Sequence, residues 1–413
     1  MKKPIFLTCA IVCVSALAAP RIDGVPAIAW DEARHALSVS YRLADEPAIV
    51  TVSIQTNAGE GAWADVDPAR VTRLAGAVNR LVQPDAEHDR TILWMPDADM
   101  PATLFAAGAV RAAVTAWPTN APPPYMAVDL HSAGWIRYYA CSSAVPEGVC
   151  SKRYKTDFLL LRKIEANGVV WKMGAPSTQP GFQPGGWDWT LETRHQVTLG
   201  HDYYMAVYEF TQAQYQVLKG SNPSAVQTCE HGDAELHPVD KVSVSALIGG
   251  SGSLVELLRA ATGVQSFNLP TGAEWEYACR AGHGTGLYTG EELEGDNPAT
   301  SARLDPLAWY EGNSGNRTHA VGQKAPNAWG LYDTLGNVDE ATRDYFKRDL
   351  GTESVVDPEF PNPVSGEERG SSLTTFGGLY GRRPNRCRPS CRNVLSGGSG
   401  GYGFRVMCLI EGS

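Results

Sequence analysis

The chain has no surplus of positive charge: 35 lysines and arginines stand against 45 aspartates and glutamates, for a formal net charge of −10. That balance offers no broad field to a phosphate backbone or an anionic bilayer, so nucleic acid is not an expected partner. Only 19% of residues are charged, against 42 glycines and 27 prolines, a composition that favours a loop-rich fold over a helical bundle. Long apolar runs are missing after the N-terminus, and the one over residues 5–19 falls short of the ~20 residues of a membrane span. No Gly-x-Ser-x-Gly elbow and no phosphate-cradling glycine loop occur, and Gly397 to Gly401 reads as a turn. No repeat of 20 to 50 residues is visible, and the nine histidines are scattered, with pairs such as His195 and His201 off ligand spacing.

What is there begins with Met1-Lys-Lys, a short apolar run and small residues ahead of Pro20. This order predicts a signal peptide over residues 1–19 and export to the periplasm, the cell surface or the medium, with no transmembrane span in the mature chain. Seven of the nine cysteines would remain: Cys141, Cys150, Cys229, Cys279, Cys387, Cys391 and Cys408. An odd number in an oxidising compartment leaves at least one thiol unpaired or shared. Cys141 and Cys150 bracket a short loop and are the simplest local disulfide.

Between residues 20 and 117, short runs alternate apolar and polar residues: Ala36–Leu43, Ala48–Gln55, Thr91–Met95 and Val110–Trp117. Period two argues half-buried strands, and a hundred residues of this kind predict an all-β sandwich of immunoglobulin or fibronectin III type. Residues 71–82 read as a helical crossing or a loop. This domain carries no cluster of His, Asp or Cys, so spacing or docking is its expected role. Pro118-Thr-Asn-Ala-Pro-Pro-Pro124 then predicts an extended linker over 118–124, with a second domain over 125–413.

The stretch Thr318 to Glu340 is the densest in the chain. Asp333 and Glu340 supply carboxylates, and Gly336 and Val338 supply carbonyls, which could surround one calcium ion if the glycine lets the backbone curl. The competing reading is an Asx-turn without metal. The same text, Pro326-Asn-Ala-Trp-Gly-Leu-Tyr-Asp-Thr-Leu-Gly-Asn-Val338, resembles the signature of the formylglycine-generating enzyme, or sulfatase-modifying factor, family. Further matches are Tyr208–Tyr215, His237–Ser243, Leu269–Gly282 and Gly403-Phe-Arg405. The resemblance spans about residues 155–410. It implies an irregular α+β fold related to C-type lectins, opened by a hairpin of residues 157–164 and 169–174 around Asn167-Gly168. It also implies a first helix capped by Thr211, a second interrupted at Gly249–Gly252 with Ser253–Ala261 surviving, and a third begun by the Thr271/Glu274 capping box.

In family members that oxidise a sulfatase cysteine, two thiolates bind copper(I), which soft sulfur ligands select. Aligned on Gly377-Gly378, the first of those positions is Arg382 and the second Cys387, so the pair is broken here. Cys387 is the one remaining catalytic candidate, with copper(I) expected only if catalysis survives. Cys387 and Cys391 stay open between a structural disulfide, a buried thiol and a metal or redox site. The resemblance implies a disulfide from Cys279 to Cys391 or Cys387, and the calcium set Asp333, Gly336, Val338 and Glu340. Arg382, Arg383 and Arg388 form a basic patch with Arg386, readable as a solvated loop or an anion pocket. Asp339 and Ala341 stand where relatives carry tryptophans, and Phe376 where they carry arginine. The leading expectation is a non-catalytic binding or accessory module with a structural calcium and a protein, peptide or glycan ligand. The alternatives are a formylglycine-generating oxidoreductase and a surface-display or adhesion protein.

Overall fold

The structure, a computed structural model, describes residues 19–59, 62–100, 109–182, 191–224, 232–363, 365, 371–395 and 400–413. The expected leader, Cys229 and most of the Gly397 turn lie outside the described residues. The chain forms two compact units, one of residues up to 64 with 73–118, the other of 65–72 with 119–413.

The first unit is built from strands β1 (Arg21–Asp31), β2 (Ala36–Ala44), β3 (Ala48–Gly59), β4 (Ala62–Asp65), β5 (Leu74–Gly76), β6 (Arg80–Val82), β7 (Arg90–Trp94) and β8 (Val110–Pro118), with one short helix, α1 (Pro96–Asp99). Alternation sets the faces: Val39, Tyr41 and Leu43 are buried while Ser38, Ser40 and Arg42 between them are half-exposed. One sheet runs β1-β2-β7-β5 and the other β4-β3-β6, with β8 pairing β3 from Ala48↔Pro118 to Thr56↔Val110. Both sheets contribute to one core through Val39, Val50 and Ile92. The stretch 71–82, expected as a helical crossing or a loop, instead carries two short strands: Leu74–Gly76 pairs β7, and the left-handed Asn79 turns the chain so that Arg80–Val82 pairs β3.

The second unit continues with β9 (Tyr125–Asp129), β10 (Ile136–Tyr139), β11 (Phe158–Ile164), β12 (Val169–Met173), β13 (His195–Leu199), β14 (Tyr203–Ala206), β15 (Phe267–Asn268), β16 (Asp339–Tyr345), β17 (Val355–Val356), β18 (Leu373–Phe376), β19 (Arg392–Val394), β20 (Tyr402–Phe404) and β21 (Met407–Leu409). Its helices are α2 (Gln212–Lys219), α3 (Val244–Leu247), α4 (Leu254–Thr262) and α5 (Gly272–Arg280). Three sheets result, ordered β10-β9-β11-β14-β21-β15, β12-β13-β17 and β19-β18-β16-β20. The expected hairpin of β11 with β12 is not made: β11 pairs β9 and β14, and β12 pairs β13. The reason is the turn at Ala166 and Asn167, whose N–H groups are both held by Asp202 Oδ1, at 2.8 and 2.9 Å, so that the chain crosses from one sheet to the next.

The caps follow the sequence. Thr211 with Gln214, and Thr271 with Glu274, each form a reciprocal capping box that satisfies end groups of α2 and α5. The second helix is split as the glycines require, into α3 and an α4 capped by Ser253. Helix α5 is buried along its whole length, and Trp275 stacks on Phe376 of β18 at 5.1 Å.

Candidate functional site

The site grows out of β16, where a strand's alternation sends neighbouring side chains to opposite faces. Glu340 points into the core. Arg405 Nε and Nη2 donate to its two oxygens at 2.5 Å each, and Trp275 Nε1 adds a bond of 2.7 Å to Oε2. The remaining guanidinium donors reach Ala206 O and Tyr332 O at 3.0 and 2.8 Å. Two further buried carboxylates lie close by. Glu209 accepts from Asn337 Nδ2 at 2.6 Å and from the Val338 N–H at 3.1 Å, and burial, with Asp333 and Glu340 adding to it, pushes its carboxyl well above the usual range. Asp333, in the left-handed region at φ 55°, accepts from the Gly322 N–H at 2.6 Å; burial raises its carboxyl to about 6. Gly336 closes the loop because a Cβ there would stand 2.2 Å from Trp309 O.

These facts bear on the calcium set. Asp333, Gly336, Val338 and Glu340 do share one tight loop, but Glu340 spends both oxygens on Arg405 and Trp275. Among the described residues no three His, Cys, Asp or Glu side chains stand close enough to hold a metal ion. As arranged, both Glu340 oxygens are engaged by Arg405, with Trp275 on one of them, so a calcium ion at these four residues would have to displace that guanidinium.

Asp339 points the other way, into a cavity of about 30 Å³ lined by Gly378, Arg382, Arg386, Cys391 and Asn393. Its oxygens accept from the Gly378 N–H at 3.0 Å and from Asn393 Nδ2 at 3.2 Å. Burial raises its carboxyl to about 6, against the pull of Arg382, the Asn393 and Gly378 hydrogen bonds and Arg386. Gly378 is required, because a Cβ at its φ of 73° would lie 2.6 Å from Arg386 O and 2.9 Å from Cys387 Sγ. The close approach it permits folds residues 377–391 into the cavity's wall. The cavity holds two or three water-sized positions by volume, with two guanidinium groups, one carboxylate and one amide facing it. Guanidinium forks of this kind match the geometry of a small anionic group.

The basic patch splits. Arg382 lines the cavity, Arg383 is exposed and pairs loosely with Glu311 at 3.7 Å, and Arg388 is taken out of the patch altogether. Its guanidinium is buried and forks onto Glu192 at 2.8 and 2.6 Å, with further bonds to Gly181 O and Asn385 O. Arg388 is a structural pair rather than an anion-pocket residue. The sequence reading passed over Asn393 and gave Asp339 no role; its signal was an acid in a strand position that relatives fill with tryptophan. Glu209, inside the Tyr208–Tyr215 match, was also passed over.

The six described cysteines are free thiols. Cys141 Sγ faces Ser143 Oγ at 3.2 Å and Cys150 Sγ faces Tyr332 OH at 3.4 Å, so the expected local bridge is not formed. Cys279 Sγ donates to Thr334 O at 3.5 Å instead of joining Cys391 or Cys387. Cys387 is fully buried, contacts Arg383 O at 3.8 Å, and burial, with Asp339 and Cys391 beside it, pushes its thiol well above the ordinary value. Cys391 is likewise raised by burial, to about 11. Burial thus favours the neutral thiol over the thiolate at both positions.

Among the described residues no helix is long and apolar enough to cross a membrane. The chain is 30% identical over 189 residues to the chaperone protein LppX of Paenibacillus barcinonensis, covering 35% of this chain and 62% of that one. It is 32% identical over 146 residues to the formylglycine-generating enzyme of Bos taurus, covering 33% and 37%. The chain thus spans less than two thirds of the length of these curated relatives. Among solved structures, Treponema denticola variable protein 1 is similar at 24% identity and a TM-score of 0.47, over 61% of this chain and 95% of that one. The family model described as the sulfatase-modifying factor enzyme 1-like domain matches residues 168–409, more than half of the chain. The chain belongs to that family, the one that the stretch Thr318–Glu340 resembles.

Proposed function

We propose that the second unit is a non-catalytic binding or accessory module of an exported protein, and that it takes a carboxylate group of a peptide or acidic glycan in the Asp339 cavity. The observation that carries this reading is a guanidinium where the resemblance places a thiolate: Arg382 lines the cavity while Cys387 is fully buried, and burial pushes its thiol upward. A relative named as a chaperone supports an accessory role. The first unit, read as an immunoglobulin- or fibronectin-like sandwich, supplies spacing or docking.

The reading is tested by titrating fluorescently labelled tetraglutamate peptide, and an unlabelled uronic acid oligomer as competitor, into the full chain. Saturable binding that Arg382→Ala weakens at least about tenfold, a loss of about 1.4 kcal/mol, supports it. Binding indifferent to Arg382→Ala and Arg386→Ala sinks it. Calcium at Asp333, Gly336, Val338 and Glu340 requires Glu340 to exchange Arg405 for the ion. A fall in Tm on chelation, abolished by Asp333→Ala, would establish that exchange; an unchanged Tm leaves Arg405 as the carboxylate's cation. Relatives named as formylglycine-generating enzymes favour the oxidoreductase reading, which needs a thiolate that burial of Cys387 opposes.

A further inference from the structure

A second cavity lies on the other face of β18. Thr374 and Phe376 line it, whereas Thr375, the residue between them, pairs across the sheet with Asn393 of the Asp339 cavity. Its volume is about 40 Å³ and its walls are chiefly apolar: Met173, Leu350, Val355, Phe360 and Phe376 surround it. Three ionisable chains with formal charge line it, Asp344, Lys347 and Arg392, together with His195.

Two of those charges are already committed. Asp344 accepts the Gly272 N–H at 2.7 Å and the Phe360 N–H at 2.9 Å, one on each oxygen. Arg392 donates to Lys347 O, Leu191 O and Arg348 O at 2.7, 2.6 and 2.9 Å, which pins the segment that forms the cavity's outer wall. His195 uses Nδ1 on Thr193 O at 3.0 Å, leaving Nε2 as its other polar atom. Lys347 is different: its ammonium lies 5.1 Å over the Phe360 ring, half-exposed, and makes no ion pair within 4 Å among the described residues, Asp349 acting on it only at longer range. The lining itself carries two cations and one carboxylate, and the unpaired charge is that of Lys347, offset in part by Asp349 outside the lining.

We propose that this cavity is a binding site for a small apolar carboxylate of roughly four to six carbons, its branched head among Phe360, Phe376 and Leu350 and its carboxylate on the Lys347 ammonium. The volume admits about three water-sized groups, enough for a branched aliphatic head and too little for a fused ring system. The excess positive charge selects an anion over the neutral isostere. The site is separate from the Asp339 cavity, so it stands whether or not that cavity binds carboxylates.

The test uses the full chain and isovalerate, with isovaleramide as the neutral isostere, read by ligand-observed NMR and calorimetry. Expected are saturable isovalerate binding at least about tenfold tighter than isovaleramide, and a loss of that preference in Lys347→Met. Leu350→Trp, which fills the mouth, should remove binding of both. Equal affinity for acid and amide in the unaltered protein would overturn the proposal without depending on any variant's folding. So would an isovalerate affinity unchanged in Lys347→Met, or no saturation at tens of millimolar.

Discussion

Asp339 and Glu340 are neighbours on one strand and both are buried, yet they meet opposite surroundings. Glu340 is saturated, its two oxygens held by Arg405 and Trp275 in a closed core. Asp339 is only half-satisfied, by one backbone N–H and one amide, and it shares a cavity with Arg382 and Arg386. The contrast teaches that the same residue chemistry closes a core where every lone pair has a partner and lines a cavity where only part of the lone pairs are used. Breaking a closed buried pair strands a charge in a medium that cannot solvate it, whereas removing a cavity cation lets the Asp339 carboxyl rise further and changes what the cavity will accept.

The largest effect should come from the closed face. Arg405→Met is expected to cost about 3–5 kcal/mol, because it leaves Glu340 buried without its cation; denaturant midpoints measure it. A loss below ~1 kcal/mol would mean that the pair is not the clamp described here. On the open face, Arg382→Ala with Arg386→Ala should abolish tetraglutamate binding while leaving the denaturant midpoint near that of the parent protein.

A finer test is pH. Asp339 has its carboxyl raised to about 6, so it is charged above that value and neutral below it. An anion should therefore bind more tightly as pH falls from 7.5 to 5.5, and Asp339→Asn should bind at pH 7.5 as the parent does at 5.5, with a flat profile between. A parent profile that is itself flat would remove Asp339 from the account. The smallest effect is expected from Arg383→Ala, an exposed residue loosely paired with Glu311: within about 0.5 kcal/mol in stability and no measurable change in binding.

Local rules were legible in the sequence. The cap at Thr211 and the capping box at Thr271 need only residues three apart, and the glycines at 249–252 break a helix wherever they fall. Short-range periodicity likewise announced the β2, β3, β7 and β8 runs. Partner choice was not legible. Whether Arg388 faces solvent or Glu192 depends on residues 196 positions apart, and whether β11 pairs β12 depends on Asp202 turning the chain away. The candidate site shows the same limit: the text named Arg382 and Glu340 but not the guanidinium from Arg405 that occupies Glu340, because long-range ion pairs leave no spacing to read.

The measurement that bears most directly on the central claim is mass spectrometry of a Cys-x-Pro-x-Arg peptide incubated with copper, oxygen and a sample of the full chain shown to bind tetraglutamate. A fully buried Cys387 beside an arginine-lined cavity predicts a peptide thiol of unchanged mass. Conversion of that thiol to an aldehyde would contradict the account and make the Asp339 face a catalytic site.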